Sequence, residues 1–238
     1  DGDGVRARIQ NEGMLHSLKK LETPIVDVLG VPVHDFPLVQ VDDVEISHQV
    51  ARHFFGRDFV HFGFYGIKGE NWSQRRQDAL RQAIGSAGSF AHIHSLRGES
   101  EGDSNHNFEL QQWLVALPKP VAIMVCSDQR GLALLEACRA VGLTVPEQVS
   151  VVGVDNDLAF CEVATPNLSS VRGGHMRVGF EAAKLLNHLI DGQSPPDTPV
   201  LVAPNEIVVR ESSDSRSISD PAVRDAVRFI RERLSEAI

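Results

Sequence analysis

VAIMVCSDQRGLALLEACRAVGLTVPEQVSVVGVDNDLAFCEVATPNLSSVR occupies residues 121–172 and holds two apolar runs with a helical pattern between them. The first run, 121–126, reaches Ser127-Asp128. Leu132, Leu135, Cys138 and Val141 then recur at helical spacing, Gly142 supplies the stop, and Pro146 blocks any continuation. The second run, 149–154, ends at Asp155-Asn156-Asp157. Two strands joined by a helix make a βαβ unit, with parallel strands and a right-handed crossover. In open parallel sheets ligands bind beyond the carboxyl ends of the strands. Asp128 and Asp155 stand together at that edge.

The same alternation extends in both directions. Strands are predicted at 24–30, 38–41, 59–65, 91–96, 169–171, 200–202 and 207–209, and helices at 12–21, 44–55, 72–87, 108–117 and 174–189. Residues 31–37, 97–107, 158–168 and 191–199 read as loops or irregular chain. Regular strand–helix alternation predicts an α/β protein with parallel sheets. Residues 211–219, ESSDSRSIS, read as a polar linker. Asp220-Pro221 then starts a helix, with Asp as N-cap and Pro at its first position. Its apolar face is Val223, Val227, Ile230 and Leu234, with Arg224, Arg228 and Arg231 on a neighbouring face. The chain opens on Asp1-Gly2-Asp3-Gly4 without methionine and ends on an amphipathic helix, so a fragment of a longer protein is expected.

Composition narrows the function classes. The 238 residues suffice for one large or two modest domains. The net charge of −9 opposes nonspecific binding to phosphate backbones. Cys126, Cys138 and Cys161 form no CxxC and read as buried thiols of a cytoplasmic protein. No apolar run has the length of a membrane span, and no signal peptide opens the chain, so no membrane association is expected.

Four side chains lead the search for chemistry. A carboxylate at a strand end accepts hydrogen bonds from adjacent sugar hydroxyls, each charge-assisted bond worth roughly 1.5–3 kcal/mol. Asp155 and Asp128 suit that role; the competing reading for both is helix capping. Trp72 and Arg76 lie four apart, on one helical face. Arginine offers a planar fork of donors, and tryptophan an apolar face for the C–H groups of a sugar ring. The competing readings are a surface salt bridge for Arg76 and core packing for Trp72. Gly63, Gly66 and Gly69, read as a loop beside Lys68, lack the spacing of a phosphate cradle. His92 and His94 alternate on one strand face without a third metal ligand. With no GxSxG or HExxH pattern, the residues point to binding without catalysis, metal or cofactor.

SDQRGLALLEACRAVGLTVPEQVSVVGVDND, followed by LSSV, resembles the effector-binding core of lactose/galactose-repressor-type regulators. VDDVEISHQVARHFF and WSQRRQDAL resemble two further motifs of that core. The resemblance implies a type 1 periplasmic-binding-protein fold, in which two α/β lobes with parallel sheets, each a three-layer αβα arrangement, close on a sugar. RESSDSRSISDPAVRDAVRFIRERL is similar to the junction in xylose operon regulators, where an arabinose-regulator (AraC)-type helix-turn-helix domain follows.

That likeness implies an effector, D-xylose, a DNA partner contacted by a domain after Ile238, and a homodimer. It implies an incomplete first lobe (1–57 with 172–198), a second lobe (58–171 with 199–211), a linker (212–219) and the first helix of a DNA-binding domain (220–238). Hinges are expected near Phe59, 158–170 and 199–202. The ligand positions it implies are Arg76, Asp155, Ser127 beside Asp128, Trp72 and Gly173, the last standing where the family often has glutamine. The same fold also serves periplasmic sugar receptors of transporters; the serine-rich segment and the extra helix favour regulation.

Overall fold

The computed structural model describes residues 18, 20, 23–28, 30, 36–95, 104–218 and 220–233. Most of the expected helix at 12–21, most of the loop at 31–37 and the polar loop at 97–103 lie outside the described residues. So do the side chains of Arg224, Arg228 and Arg231.

The chain divides into two compact units, residues 1–41 with 175–202 and residues 42–174 with 203–238. In the first, strand β1 (Val39–Val41) pairs in parallel with β7 (Val200–Val202), Val39 opposite Val200. Helix α6 (His175–Ile190) belongs to this unit and buries Val178 and Leu185. Among the described residues, the strand predicted at 24–30 is reduced to one bridge, Asp27 with Leu38.

The second unit is built on a six-stranded sheet in the order β3-β2-β4-β5-β6-β8. Its strands are β2 (His61–Ile67), β3 (Ser89–Ser95), β4 (Val121–Val125), β5 (Val149–Val154), β6 (Ser169–Val171) and β8 (Ile207–Val208). The first five are parallel, and β8 runs antiparallel to β6. Every residue of β4 and β5 is buried, as a central strand covered on both faces requires.

Helices α1 (Asp43–Phe55) and α2 (Asn71–Ile84) pack together on one face, where Phe54 and Phe55 meet Phe62. Helices α3 (Ser104–Ala116) and α4 (Asp128–Ala140) pack on the other. Leu110, Leu114 and Leu134 meet Ile123, Val125 and Val151 there, at the period of two that sends alternate strand residues to opposite faces. The short α5 (Leu158–Cys161) follows β5, and α7 (Pro221–Arg233) ends the described chain.

Three expectations are corrected. Helix α1 belongs to the second unit, not the first lobe, because it is bound to α2: Ser47 Oγ lies 2.9 Å from Arg76 O, and Asp43 pairs with Arg75 and Arg76. The chain accordingly passes between units at 41–42, 174–175 and 202–203, so Phe59 lies inside a unit. Gly63 and Gly66 lie within β2 and not in a loop.

The third correction concerns the polar linker. Glu211–Ser213 form a 3-10 turn, and Ser212 and Ser213 are fully buried. Ser212 Oγ donates to Val151 O at 2.7 Å and accepts from the Ser169 N–H at 2.8 Å. Ser213 Oγ is 2.9 Å from His53 Nε2, and the Ser217 N–H donates to Arg57 O at 2.7 Å. A serine-rich composition reads as solvated chain, yet here the Ser212 hydroxyl satisfies two backbone groups of the sheet and that of Ser213 meets His53.

Candidate ligand-binding site

The strand order reverses between β2 and β4. From β2 the chain passes outward to β3, then returns to lay β4 on the other side of β2. The carboxyl ends of strands flanking such a switch point frame the ligand crevice of open α/β sheets. The Cys126 N–H donates to Tyr65 O at 2.9 Å, so β2 and β4 are joined up to that edge.

Arg76 is anchored at this point. Helix α2 starts where β2 stops, and the Ile67 N–H donates to Ser73 Oγ at 3.0 Å. One turn later Arg76 is only 4% exposed. Its Nε donates to Asp43 Oδ1 at 2.8 Å and its Nη1 to Cys126 O at 2.5 Å. Arg75 binds the other oxygen of Asp43, Nε to Oδ2 at 3.0 Å. The pair is therefore a buried charge cluster, not the surface salt bridge that competed with the ligand reading. Arg76 Nη2 has no acceptor among the described residues and remains a donor at the strand ends.

The Trp72 ring covers the guanidinium, 4.9 Å from Cζ to the ring centroid, and its Nε1 donates to Glu70 Oε2 at 2.9 Å. Trp72 thus contributes an apolar face that orients Arg76. Asp43 escaped the sequence reading. Two acids follow β1, and Asp42 caps α1 by accepting from the Val44 and Glu45 N–H groups. The cap needs only one of them, and the second is committed to the arginines.

Across β4, Ser127 holds the N-cap position of α4 without a side-chain cap bond and is half-buried. Asp128 is buried. Its Oδ1 accepts from Ser170 Oγ at 2.6 Å and its Oδ2 from the Asp157 N–H at 2.7 Å. Ser170 Oγ in turn accepts from the Asn156 N–H at 3.0 Å. Asp128 is therefore not the cap of its own helix. Both oxygens clamp the turn after β5. Gly153 makes this clamp possible, because a Cβ there would overlap Asp128 Oδ1.

The clamped turn presents Asp155. Asp155 has φ 108° and Asn156 φ 55°, two consecutive non-glycine residues on the left-handed side. Such strain persists only where surroundings enforce it, and it clusters at ligand sites. The cap of α5 is Asp157, which accepts from the Ala159 N–H at 3.0 Å, so Asp155 is spared that role. Gly173 lies two residues beyond β6, and no described contact joins it to Arg76 or Asp155. The structure thus gathers Trp72, Arg76 and the start of α4 at one place, and Asp128 with the Asp155 turn beside it.

Burial pushes the Asp128 carboxyl up to about 7, against the hydrogen bonds from Ser170 and Asp157, which favour its ionised form; the charge of Asp155 adds to the rise. A carboxyl whose folded value exceeds its unfolded one, about 3.9, stabilises the fold fully below the unfolded value. That contribution is lost as pH rises through about 7. Asp128→Asn removes the titration. Urea denaturation across pH 4–8 is expected to show wild-type stability declining relative to the variant as pH rises.

Residues 51–213 match the family described as periplasmic binding protein-like domain. The xylose operon regulatory protein of Escherichia coli (strain K12) is 30% identical over 249 residues, covering 100% of this chain and 63% of that protein. Its namesake in Haemophilus influenzae is 32% identical over 209 residues, covering 85% of this chain and 54% of that protein. The chain therefore spans less than two thirds of the length of these relatives. Among solved structures, that of the xylose-binding transcription activator xylR superposes with a TM-score of 0.83 at 28% identity, covering 96% of this chain and 62% of that one. A periplasmic binding protein/LacI transcriptional regulator from Alkaliphilus metalliredigens, complexed with D-xylulofuranose, shares the fold at a TM-score of 0.69 and 14% identity, covering 82% of this chain and 73% of that one.

Proposed function

We propose, for a chain that belongs to the periplasmic binding protein-like domain family, that it is the effector-sensing part of a transcriptional regulator and that its effector is D-xylose. The observation that carries this reading is Arg76, held by Asp43 and the β4-end carbonyl at the switch point of the sheet. A rigid guanidinium with one donor nitrogen to spare binds a neutral polyol oxygen without having to be ordered first. Asp155, on its strained turn, supplies the acceptor for paired hydroxyls. Xylose operon regulators are the relatives that support the choice of sugar.

In this reading Trp72 and Ser127 complete the polar edge, Asp128 positions the turn, and Gly173 adds at most a backbone group. The protein acts by binding and not by catalysis, in the cytoplasm and as a homodimer. DNA contact is made by a helix-turn-helix domain beyond α7, since a chain of net charge −9 is itself a poor partner for phosphates. Among the described residues, no helix is long and apolar enough to cross a membrane. Sugar acts as a switch to the extent that it binds one conformation more tightly than another.

Isothermal titration with D-xylose tests this directly. Saturable heat is expected. Asp155→Ala is expected to weaken binding roughly 100-fold, the loss of about 2.7 kcal/mol of charge-assisted hydrogen bonding. Absence of heat, or unchanged affinity in the variant, overturns the reading.

A further inference from the structure

We infer that Arg210 is a positioning residue that couples the ligand-edge turn at Asp155–Asp157 to the docked segment 211–217 leading into α7. The consequence for sugar sensing rests on the function proposed above; the coupling itself does not.

Arg210 reaches in two directions. Its Nη2 donates to Asn156 Oδ1 at 2.9 Å and its Nη1 to Leu168 O at 2.8 Å, so one planar fork holds the left-handed residue after Asp155 and the chain entering β6. Its backbone is fixed by Ser169: the Arg210 N–H donates to Ser169 Oγ at 2.8 Å, and that hydroxyl lies 2.9 Å from Arg210 O. The next residues are the docked ones. Glu211 Oε2 accepts from the Asn167 N–H at 3.0 Å, and the Ser212 N–H donates to Asn167 O at 3.0 Å. Ser213 then meets His53, and Arg57 Nε donates to Ser213 O at 2.9 Å.

The turn, Arg210 and the serine segment thus form one continuous hydrogen-bonded path inside a single compact unit. A composition-based reading makes 211–219 a slack tether, which would transmit nothing. Docked as it is, the segment continues from an Arg210 backbone held by Ser169, and the Arg210 fork ties that backbone to Asn156. Lysine places its three donors on one nitrogen at the end of a flexible stem and does not reproduce the planar two-nitrogen fork that spans Asn156 Oδ1 and Leu168 O.

Amide hydrogen exchange followed by NMR tests the coupling, read at the Ser169 and Ser212 amides and, for reference, at the core amide of Ile123. Without sugar, Asn156→Ala removes the acceptor and is expected to speed exchange at Ser169 and Ser212 about 10-fold, relative to Ile123. Arg210→Ala and Arg210→Lys are expected to do the same, and the Asn156→Ala/Arg210→Ala double variant to go no further. Exchange at Ser212 within twofold of wild type in Asn156→Ala overturns the coupling. With D-xylose at saturation, established by calorimetry for each variant, exchange at Ser212 is expected to change in wild type and to stay constant in Arg210→Ala. A change that persists in Arg210→Ala also overturns it. Absence of xylose heat strikes the function proposed above and leaves the sugar-free arm to decide the coupling.

Discussion

Asp43→Ala is expected to destabilise the protein by about 3–5 kcal/mol, the usual consequence of removing one partner from a buried ion pair. Asp43 and Arg76 are each 4% exposed, and Arg75 shares the same carboxylate. Without Asp43 the Arg76 guanidinium keeps, among the described residues, the Cys126 carbonyl and the Trp72 ring as partners. Its charge is then buried without compensation at the switch point, and α1 loses its charged tie to α2 while the Ser47 hydrogen bond to Arg76 O remains. Urea denaturation reads the stability. The cost comes from the stranded charge, so Asp43→Ala combined with Arg76→Met is expected to be less destabilising than Asp43→Ala alone. Equal or additive losses would show that packing of α1, and not charge pairing, dominates. In the single variant sugar affinity is also expected to fall, since Arg76 no longer holds its orientation.

Gly153→Ala is expected to cost on the order of 3 kcal/mol, from overpacking together with broken buried hydrogen bonds. The added methyl would overlap Asp128 Oδ1 and lie 3.1 Å from Leu168 Cδ2. The carboxylate is packed at 1% exposure and has nowhere to swing without leaving Ser170 and Asp157. The turn carrying Asp155 then loses its clamp, so D-xylose affinity is expected to drop although no ligand-facing group has changed. The double variant Asp128→Ala/Gly153→Ala discriminates. If Gly153 exists to admit the carboxylate, the glycine substitution becomes nearly silent once that carboxylate is gone. A full cost in the Asp128→Ala background would assign Gly153 to packing against Leu168 instead.

These two residues mark the limits of what was legible in the chain. The apolar runs of β4 and β5, the stop at Gly142 and the spacing of α4 are local signals; both strands and the end of α4 appear within a residue or so of their expected bounds, while α4 begins at Asp128, ahead of the apolar pattern. Arg76 stood out because its helix begins at a strand end, and the structure shows it buried and anchored there. Asp43 did not, since its partner lies 33 residues away and a neighbouring acid offered a sufficient local explanation. The segment 211–217 was misread for the same reason: serine favours solvated chain unless a particular unsatisfied carbonyl, here that of Val151, lies within reach.

By itself, then, the sequence determined the parallel α/β architecture and the strand ends after which the acidic turn and the arginine stand. Periodicity, stop signals and strand ends are properties of neighbouring residues. Only the tertiary structure decided how those side chains are used. It tied Asp128 to the turn after β5, paired Arg76 with Asp43, and made a presumed linker part of the fold. Each of those outcomes depends on burial and on a hydrogen-bond partner brought from far along the chain.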